Sequence, residues 1–158
     1  MKALIIGAAI SGTGAAKLLN KEGYEVYLTD KNTIEAQDEL EKAGIRCFAG
    51  GHPDFLKEIE YDLIVKNPGI PDRVPFVKYF REKGYPIYNE IEIACRYAPQ
   101  LRIAAITGTN GKTTTTTLLG EILKAHDPSS ITAGNIGRSL CEYAMEDDHR
   151  KRDVSLEI

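Results

Sequence analysis

The sequence predicts an α/β fold built on parallel sheets, and three observations predict it. Short apolar runs alternate with amphipathic stretches along the 158 residues, which is the rhythm of β-α-β units. Two of those runs break into glycine-rich turns that open a helix, "IIGAAISGTG" from Ile5 and "ITGTNGKTT" from Ile106. Hydrophobic residues make up 42% of the chain, enough for a packed core.

Element by element, "KALIIG" is a strand, and Ser11 to Glu22 a helix with Gly23 at its C′ position. "YEVYLT" is a second strand. Asn32 to Ala43 is a helix, with Asn32 and Glu35 spaced as a capping box and Gly44 closing it. "IRCFA" and "YDLIV" are strands, Pro75 to Lys83 a short helix stopped by Gly84, "YPIYN" a strand, and Glu90 to Tyr97 a helix. Pro99 and Gln100 punctuate the chain. A fresh strand, "LRIAAIT", then leads into a helix running to about Ala125. "SSITAG" is a strand, "GNIG" a tight turn into a helix from Arg138 to Glu146, "EDDHRKRD" a solvated charged loop, and "DVSLEI" a strand. Residues 1–93 are thus expected to form one complete α/β domain and 94–158 the opening of a second. The final strand has no turn or helix after it, so the chain is expected to be the front part of a longer protein. Its second sheet would then be incomplete, with an unpaired edge.

Composition narrows the function. A net charge of −3 gives no global basic field for nucleic acid or anionic lipid, so any nucleotide binding must be local. Cys47, Cys95 and Cys141 are odd in number and lack C-x-x-C spacing; they are expected to be reduced, mostly buried thiols of a cytoplasmic protein rather than metal ligands. The run "ALII" is too short for a membrane span or a signal segment. His52, His126 and His149 fall in predicted loops and are expected at the surface, and no residue stands out as a general base.

The first glycine cluster matches G-x-G-x-x-G except that Ala9 replaces the middle glycine. Gly7 can make the tight turn and Gly12 the close helix–strand packing, and Asp30 ends the second strand where a Rossmann-like fold places its ribose-binding acid. A methyl at position 9 hinders close approach to a pyrophosphate. A ligand-free turn, a nicotinamide dinucleotide and another nucleotide diphosphate all remain open at this point.

The second cluster lacks the first glycine of G-x-x-x-x-G-K-[ST], since Ile106 stands there. Its chemistry is nevertheless that of a phosphate site. Gly108, Thr109, Asn110 and Gly111 supply successive backbone N–H groups at a helix N-terminus, an anion nest. Lys112 can bridge phosphate oxygens, and the Thr113 hydroxyl can ligand Mg²⁺. Thr114 completes the candidate ATP-binding stretch, although Thr114 to Thr117 suit packing and capping better than chemistry. In "DVSLEI" the carboxylate of Glu157 lies on a strand expected to be buried, which is costly unless it is paired or metal-bound; the alternative is a solvated residue at a frayed end.

These motifs together resemble the ATP-dependent Mur ligases of peptidoglycan synthesis. The likeness rests on "GAAISGTG", "NPGIP" at 67–71, "NEIEIA" at 89–94, "ITGTNGKTTTTTLLGEIL" at 106–123, "GNIG" at 134–137 and "LEI" at 156–158, in order along the whole chain. The family carries "GTNGKT" rather than the longer phosphate-loop pattern, which accounts for Ile106, while Ala9 departs from its usual glycine. One branch commonly has histidine where Asn110 stands, and the folylpolyglutamate synthases share the loop but resemble the rest less. The resemblance implies a cytoplasmic, monomeric ligase that uses ATP and Mg²⁺ to join D-glutamate to UDP-N-acetylmuramoyl-L-alanine through an acyl phosphate. It places the UDP-sugar substrate at Gly7, Ser11, Gly12, Asp30, Lys31, Asn67, Pro68, Gly69 and Asn135. It makes Lys112 the catalytic cation and Thr113 with Glu157 the Mg²⁺ ligands. The 158 residues alone are expected to be inactive, because the family's amino-acid site lies further along. Rival readings are a nicotinamide oxidoreductase, a non-catalytic nucleotide-binding module and a generic phosphate-loop NTPase.

Overall fold

The computed structural model describes residues 1–146 and 150–158. The first unit comprises β1 (Lys2–Ile6), α1 (Ile10–Lys21), β2 (Glu25–Thr29), α2 (Gln37–Lys42), β3 (Arg46–Phe48), a single helical turn at Asp54–Lys57, β4 (Leu63–Lys66), α3 (Pro75–Glu82) and β5 (Ile87–Tyr88). Helix α4 (Glu90–Tyr97) leads to β6 (Arg102–Ile106), α5 (Lys112–His126), β7 (Ile131–Gly134), α6 (Leu140–Met145) and β8 (Asp153–Glu157). The strands form two sheets, ordered β3-β2-β1-β4-β5 and β6-β8-β7, and every pairing is parallel.

A parallel central strand is covered on both faces, and β1 accordingly is apolar from Ala3 to Ile6. In β1 the residues alternate: Ala3 and Ile5 pack into one cluster, Leu4 and Ile6 into another with Tyr61, Phe76 and Phe80. The first cluster does not stop at the first sheet. It runs through Leu18 and Leu19 of α1 and Ile93 of α4 into Leu140, Cys141, Val154 and Leu156. Helices α1, α4 and α6 pack on one another as a shared layer between the two sheets.

Local signals account for several helix boundaries. Asn89 and Glu92 form a capping box around α4: the Glu92 N–H donates to Asn89 Oδ1 at 2.9 Å and the Asn89 N–H donates to Glu92 Oε2 at 2.7 Å. Pro75 opens α3. Two expected starts are corrected. Helix α2 begins at Gln37, and Asn32 is not its cap. The Asn32 N–H donates to Asp30 Oδ1 and its carbonyl accepts from the Gly50 N–H, so the chain there is held as a loop. Helix α6 begins at Leu140, capped by Ser139, whose Oγ accepts from the Glu142 N–H at 3.2 Å; neither Arg138 nor Asn135 starts it.

Other expectations shift as well. Only Cys141 of the three thiols is buried; Cys95 is exposed and Cys47 half-buried. His126 ends α5 rather than lying in a loop, while His149 lies outside the described residues. Strand β8 is the middle of its sheet, so Glu157 sits on a central strand, 7% exposed, and not at a frayed end. Strands β6 and β7 are the sheet's edges. On the β6 side, Ala104, Ala105 and, on α5, Leu118 and Ile122 are exposed.

The α1–α6 contact is close enough to exclude a side chain. A methyl added at Gly14 would overlap the hydroxyl and Cβ of Ser139. We predict that Gly14→Ala destabilises the fold by about 1–3 kcal/mol in urea unfolding, because the overlap outweighs the gain in helix propensity of about 1 kcal/mol.

Candidate functional site

In an open parallel sheet, ligands gather beyond the carboxyl ends of the strands where the order reverses. In the first sheet that point lies between β1 and β4. The β1–α1 turn is tied down there: the Gly7 N–H donates to the Thr29 carbonyl at 2.8 Å, and the Ala8 N–H donates to Asp30 Oδ2 at 2.7 Å. The other Asp30 oxygen accepts from the Asn32 N–H at 2.8 Å. Asp30 therefore ties the β1–α1 turn to the loop after β2, one oxygen to each, and Lys31 beside it is exposed. Gly12 is buried; a methyl there would strike the Gly7 carbonyl, so its contribution is close packing rather than ligand contact.

The "NPGIP" loop faces this turn. Asn67 organises it: the Gly69 N–H donates to Asn67 Oδ1 at 2.9 Å, and Asn67 Nδ2 donates to Ser11 Oγ at 3.1 Å. Pro68 and Gly69 are left exposed at the tip. A cavity of about 340 Å³ opens between the two loops, lined by Gly7, Asp30, Lys31, Asn67, Gly69 and also His52.

His52 is half-buried, contrary to the expected surface position, and stacks on Phe76 with ring centroids 4.6 Å apart. Its Nδ1 lies 2.9 Å from Thr29 Oγ1, which also lies 3.0 Å from the Gly51 carbonyl. A hydroxyl carries one proton. It goes to the carbonyl, which can only accept, so Nδ1–H is the donor to Oγ1 and Nε2 carries the lone pair. Burial lowers the His52 pKa and so favours the neutral ring, opposed by the nearby Asp30 charge.

In the second sheet the loop after β6 enters α5 through Gly111, whose φ of 75° a residue with a side chain rarely adopts. No side chain caps α5, so its first N–H groups face the loop. The exposed residues Gly108, Thr109 and Asn110 complete that concave run of backbone. The Lys112 ammonium folds back and donates to the Gly108 carbonyl at 2.6 Å. Thr116 alone of the later threonines is buried, and its Oγ1 donates to the Lys112 carbonyl at 2.9 Å; Thr114, Thr115 and Thr117 are exposed, which corrects their expected packing role.

Thr113 connects this loop to the strand beside it. Its hydroxyl donates to Glu157 Oε1 at 3.2 Å, while Glu157 Oε2 is buried without a partner among the described residues. The Glu157 carbonyl accepts from the Asn135 N–H at 3.2 Å, and Gly134, with a φ of 106°, lies so close to that carbonyl that a methyl would overlap it.

The two sheets present their carboxyl ends to one another. A cleft of about 410 Å³ lies between them, lined on one side by Ser11, Asn67, Pro68 and Gly69 and on the other by Asn135 and Glu157. Glu90 and Ile91 of α4 form its floor. Gly7, Asp30 and Lys31 line the adjoining cavity instead. The structure thus brings most of the expected substrate residues and Glu157 around one groove.

Residues 106–153 match the Mur ligase middle domain. The chain is 47% identical over 148 residues to the UDP-N-acetylmuramoylalanine–D-glutamate ligase of Geobacillus kaustophilus, across 92% of this chain and 33% of that ligase. It is 43% identical over 162 residues to the ligase of the same name from Enterococcus hirae, across 98% and 35%. This similarity to Mur ligases runs over almost the whole of the chain. The chain spans about a third of the length of these Mur ligases. Among solved Mur ligase structures, the UDP-N-acetylmuramate–alanine ligase of Thermotoga maritima matches with 25% identity and a TM-score of 0.60, over 99% of this chain and 36% of that one. A murein peptide ligase from Psychrobacter arcticus shares the fold at 22% identity and a TM-score of 0.61, over 99% and 37%.

Sequence reasoning missed two residues here, His52 in the adjoining cavity and Glu90 in the cleft. His52 carried no local signal, because its anchor, Thr29, lies on another element. Glu90 sits inside the quoted "NEIEIA", yet only its neighbours Asn89 and Glu92 announce themselves, as a capping box. Glu90 is 5% exposed, and its Oε1 accepts from the Cys141 N–H at 2.5 Å. Burial raises its pKa above the ordinary 4.5, opposed by the hydrogen bonds from Cys141 and Ser139.

That shift has a sign. A carboxyl whose pKa is higher folded than unfolded adds stability that is full below the unfolded value and lost as pH rises through the folded one. Glu90→Gln removes the titration. In urea unfolding, the stability of wild type relative to Glu90→Gln should therefore fall as the buffer goes from about pH 4 to about pH 8. A flat difference across that range would contradict the assignment.

Proposed function

We propose that this chain supplies the substrate-binding and phosphate-binding parts of a ligase that joins D-glutamate to UDP-N-acetylmuramoyl-L-alanine at the expense of ATP. The observation that carries the reading is the cleft between Ser11, Asn67–Gly69, Asn135 and Glu157, which adjoins the cavity at the Gly7 turn and meets the Lys112 loop through the Thr113–Glu157 hydrogen bond. In this reading residues 1–93 form the domain that holds the UDP end, and residues 94–158 open the ATP-binding domain.

The UDP moiety would sit against the β1–α1 turn, Lys31 and the "NPGIP" loop, with Ser11 and Gly69 facing the diphosphate. Asn135 would contact the part of the substrate that crosses the groove. The backbone amides of 108–114 and the Lys112 ammonium would cradle the ATP phosphates; Lys112 then leaves the Gly108 carbonyl for a phosphate oxygen, a charge-assisted bond stronger than the one it gives up. Thr113 and Glu157 suit Mg²⁺, a hard cation that prefers oxygen and takes one or two carboxylates together with phosphates and water. The buried, unpartnered Glu157 Oε2 fits that role. Bound there, the cation would neutralise charge on the transferring phosphoryl group. The chain's own contribution is to align the substrate carboxylate with the phosphate, giving an acyl phosphate that the amine of D-glutamate attacks with loss of phosphate.

A nicotinamide oxidoreductase is the less favoured reading. Both Asp30 oxygens already hold backbone amides, and Ala9 puts a methyl where a pyrophosphate would approach. Calorimetric titration separates the two: UDP should bind more tightly than NADH, and the reverse order would sink the UDP reading. For the second loop, Lys112→Ala should cost most of the ATP–Mg²⁺ affinity, on the order of tenfold or more, while circular dichroism and unfolding midpoint stay unchanged. Equal ATP binding by the folded variant would make the loop structural.

A further inference from the structure

The groove exists only while the two sheets hold one relative position, and few side chains bridge them in a directional way. Glu90 does. It is the first residue of α4, at the end of the first unit, and its carboxylate reaches into the start of α6. Oε1 accepts from the Cys141 N–H, two residues after the α6 cap Ser139. Cys141 returns the contact: its thiol donates to the Glu90 carbonyl at 3.4 Å. Ser139, which caps α6 from within, is also the residue pressed against Gly14 of α1. All of these groups are buried. Upstream of Ser139 lies the "GNIG" turn, which carries Asn135 and is itself pinned to the Glu157 carbonyl.

We propose that Glu90 is a positioning residue: it clamps α6 to α4, and through α6 sets where the Gly134–Gly137 turn and Glu157 stand relative to the UDP end of the groove. This rests on the proposed function for its ligand, a nucleoside-diphosphate sugar peptide long enough to cross the groove. UDP itself needs only the first unit. The two ligands therefore separate a positioning role from mere stability, because a general loss of fold weakens both.

Glu90→Ala should leave UDP affinity near wild type and weaken UDP-N-acetylmuramoyl-L-alanine by about tenfold, within the usual range for coupled sites. Glu90→Gln keeps an acceptor for the Cys141 N–H but exchanges a carboxylate for a weaker neutral amide oxygen, so it should show a smaller loss in the same direction. A second readout needs no ligand. Cys141 is fully buried, so a thiol reagent reaches it only when α6 lifts. Glu90→Ala should raise the labelling rate of the Cys141 peptide, followed by mass spectrometry, by about tenfold or more, with Cys47, whose thiol does not feel the Glu90 charge, as internal standard. Unchanged Cys141 labelling, or equal weakening of both ligands, overturns the proposal. If Glu90→Ala does not fold, Glu90→Gln decides alone, and a wild-type ratio of the two affinities overturns it. Failure of the wild-type chain to bind UDP overturns the functional reading instead, and the labelling rate then decides the clamp.

Discussion

A carboxylate buried between two helices is tolerated only when its oxygens are occupied. Glu90 gives Oε1 to the Cys141 amide, and in doing so satisfies backbone at the start of a helix that belongs to the other sheet. Around it the apolar layer of α1, α4 and α6 is continuous, so hydrophobic burial supplies the adhesion. Burial is non-directional, however, and would accept sliding. The short polar contact and the Gly14–Ser139 approach restrict it to one register. The groove between the carboxyl ends of the two sheets is a consequence of that register.

Within the groove, the acidic groups divide by how far their oxygens are committed. Asp30 gives both oxygens to backbone amides, at Ala8 and Asn32, and so shapes the turn that meets a ligand. Glu157 gives one oxygen to Thr113 and keeps the other unpartnered. Leaving a buried acceptor unmade costs about 1–3 kcal/mol, and such groups call for an explanation. Two carboxylates at equivalent strand ends are thus committed to different extents: one holds the protein's own backbone with both oxygens, and the other keeps one oxygen without a partner among the described residues.

Much of this was legible in the residues, and the reason differs from place to place. Helix α4 was readable to the residue because its box, Asn89 and Glu92, is local. Asn32 and Glu35 have the same spacing and failed, because Asp30 and Gly50 compete for the Asn32 backbone. The glycine–lysine loop could be picked out from type and spacing, whereas "LEI" came from the family resemblance. That Glu157 lies on a central strand could not be read in either way, since strand order is set by the crossovers, and β8 inserts between strands that precede it in sequence. Contacts such as Glu90 to Cys141, which span 51 residues, leave no periodic trace in the chain.

The missing glycine of the phosphate loop has the same kind of explanation. The strict pattern places glycine where the chain leaves its strand. Here that position, Ile106, is still inside β6: it pairs in register with Glu157, and its carbonyl accepts from the Ile158 N–H at 3.0 Å. The turn is made later, at Gly108 and Gly111, both with positive φ. A β-branched residue suits the strand position and would resist the left-handed backbone a turn requires. Ile106 therefore prolongs the strand by the one residue that brings β6 level with Glu157, which sets the Thr113 hydroxyl against that carboxylate.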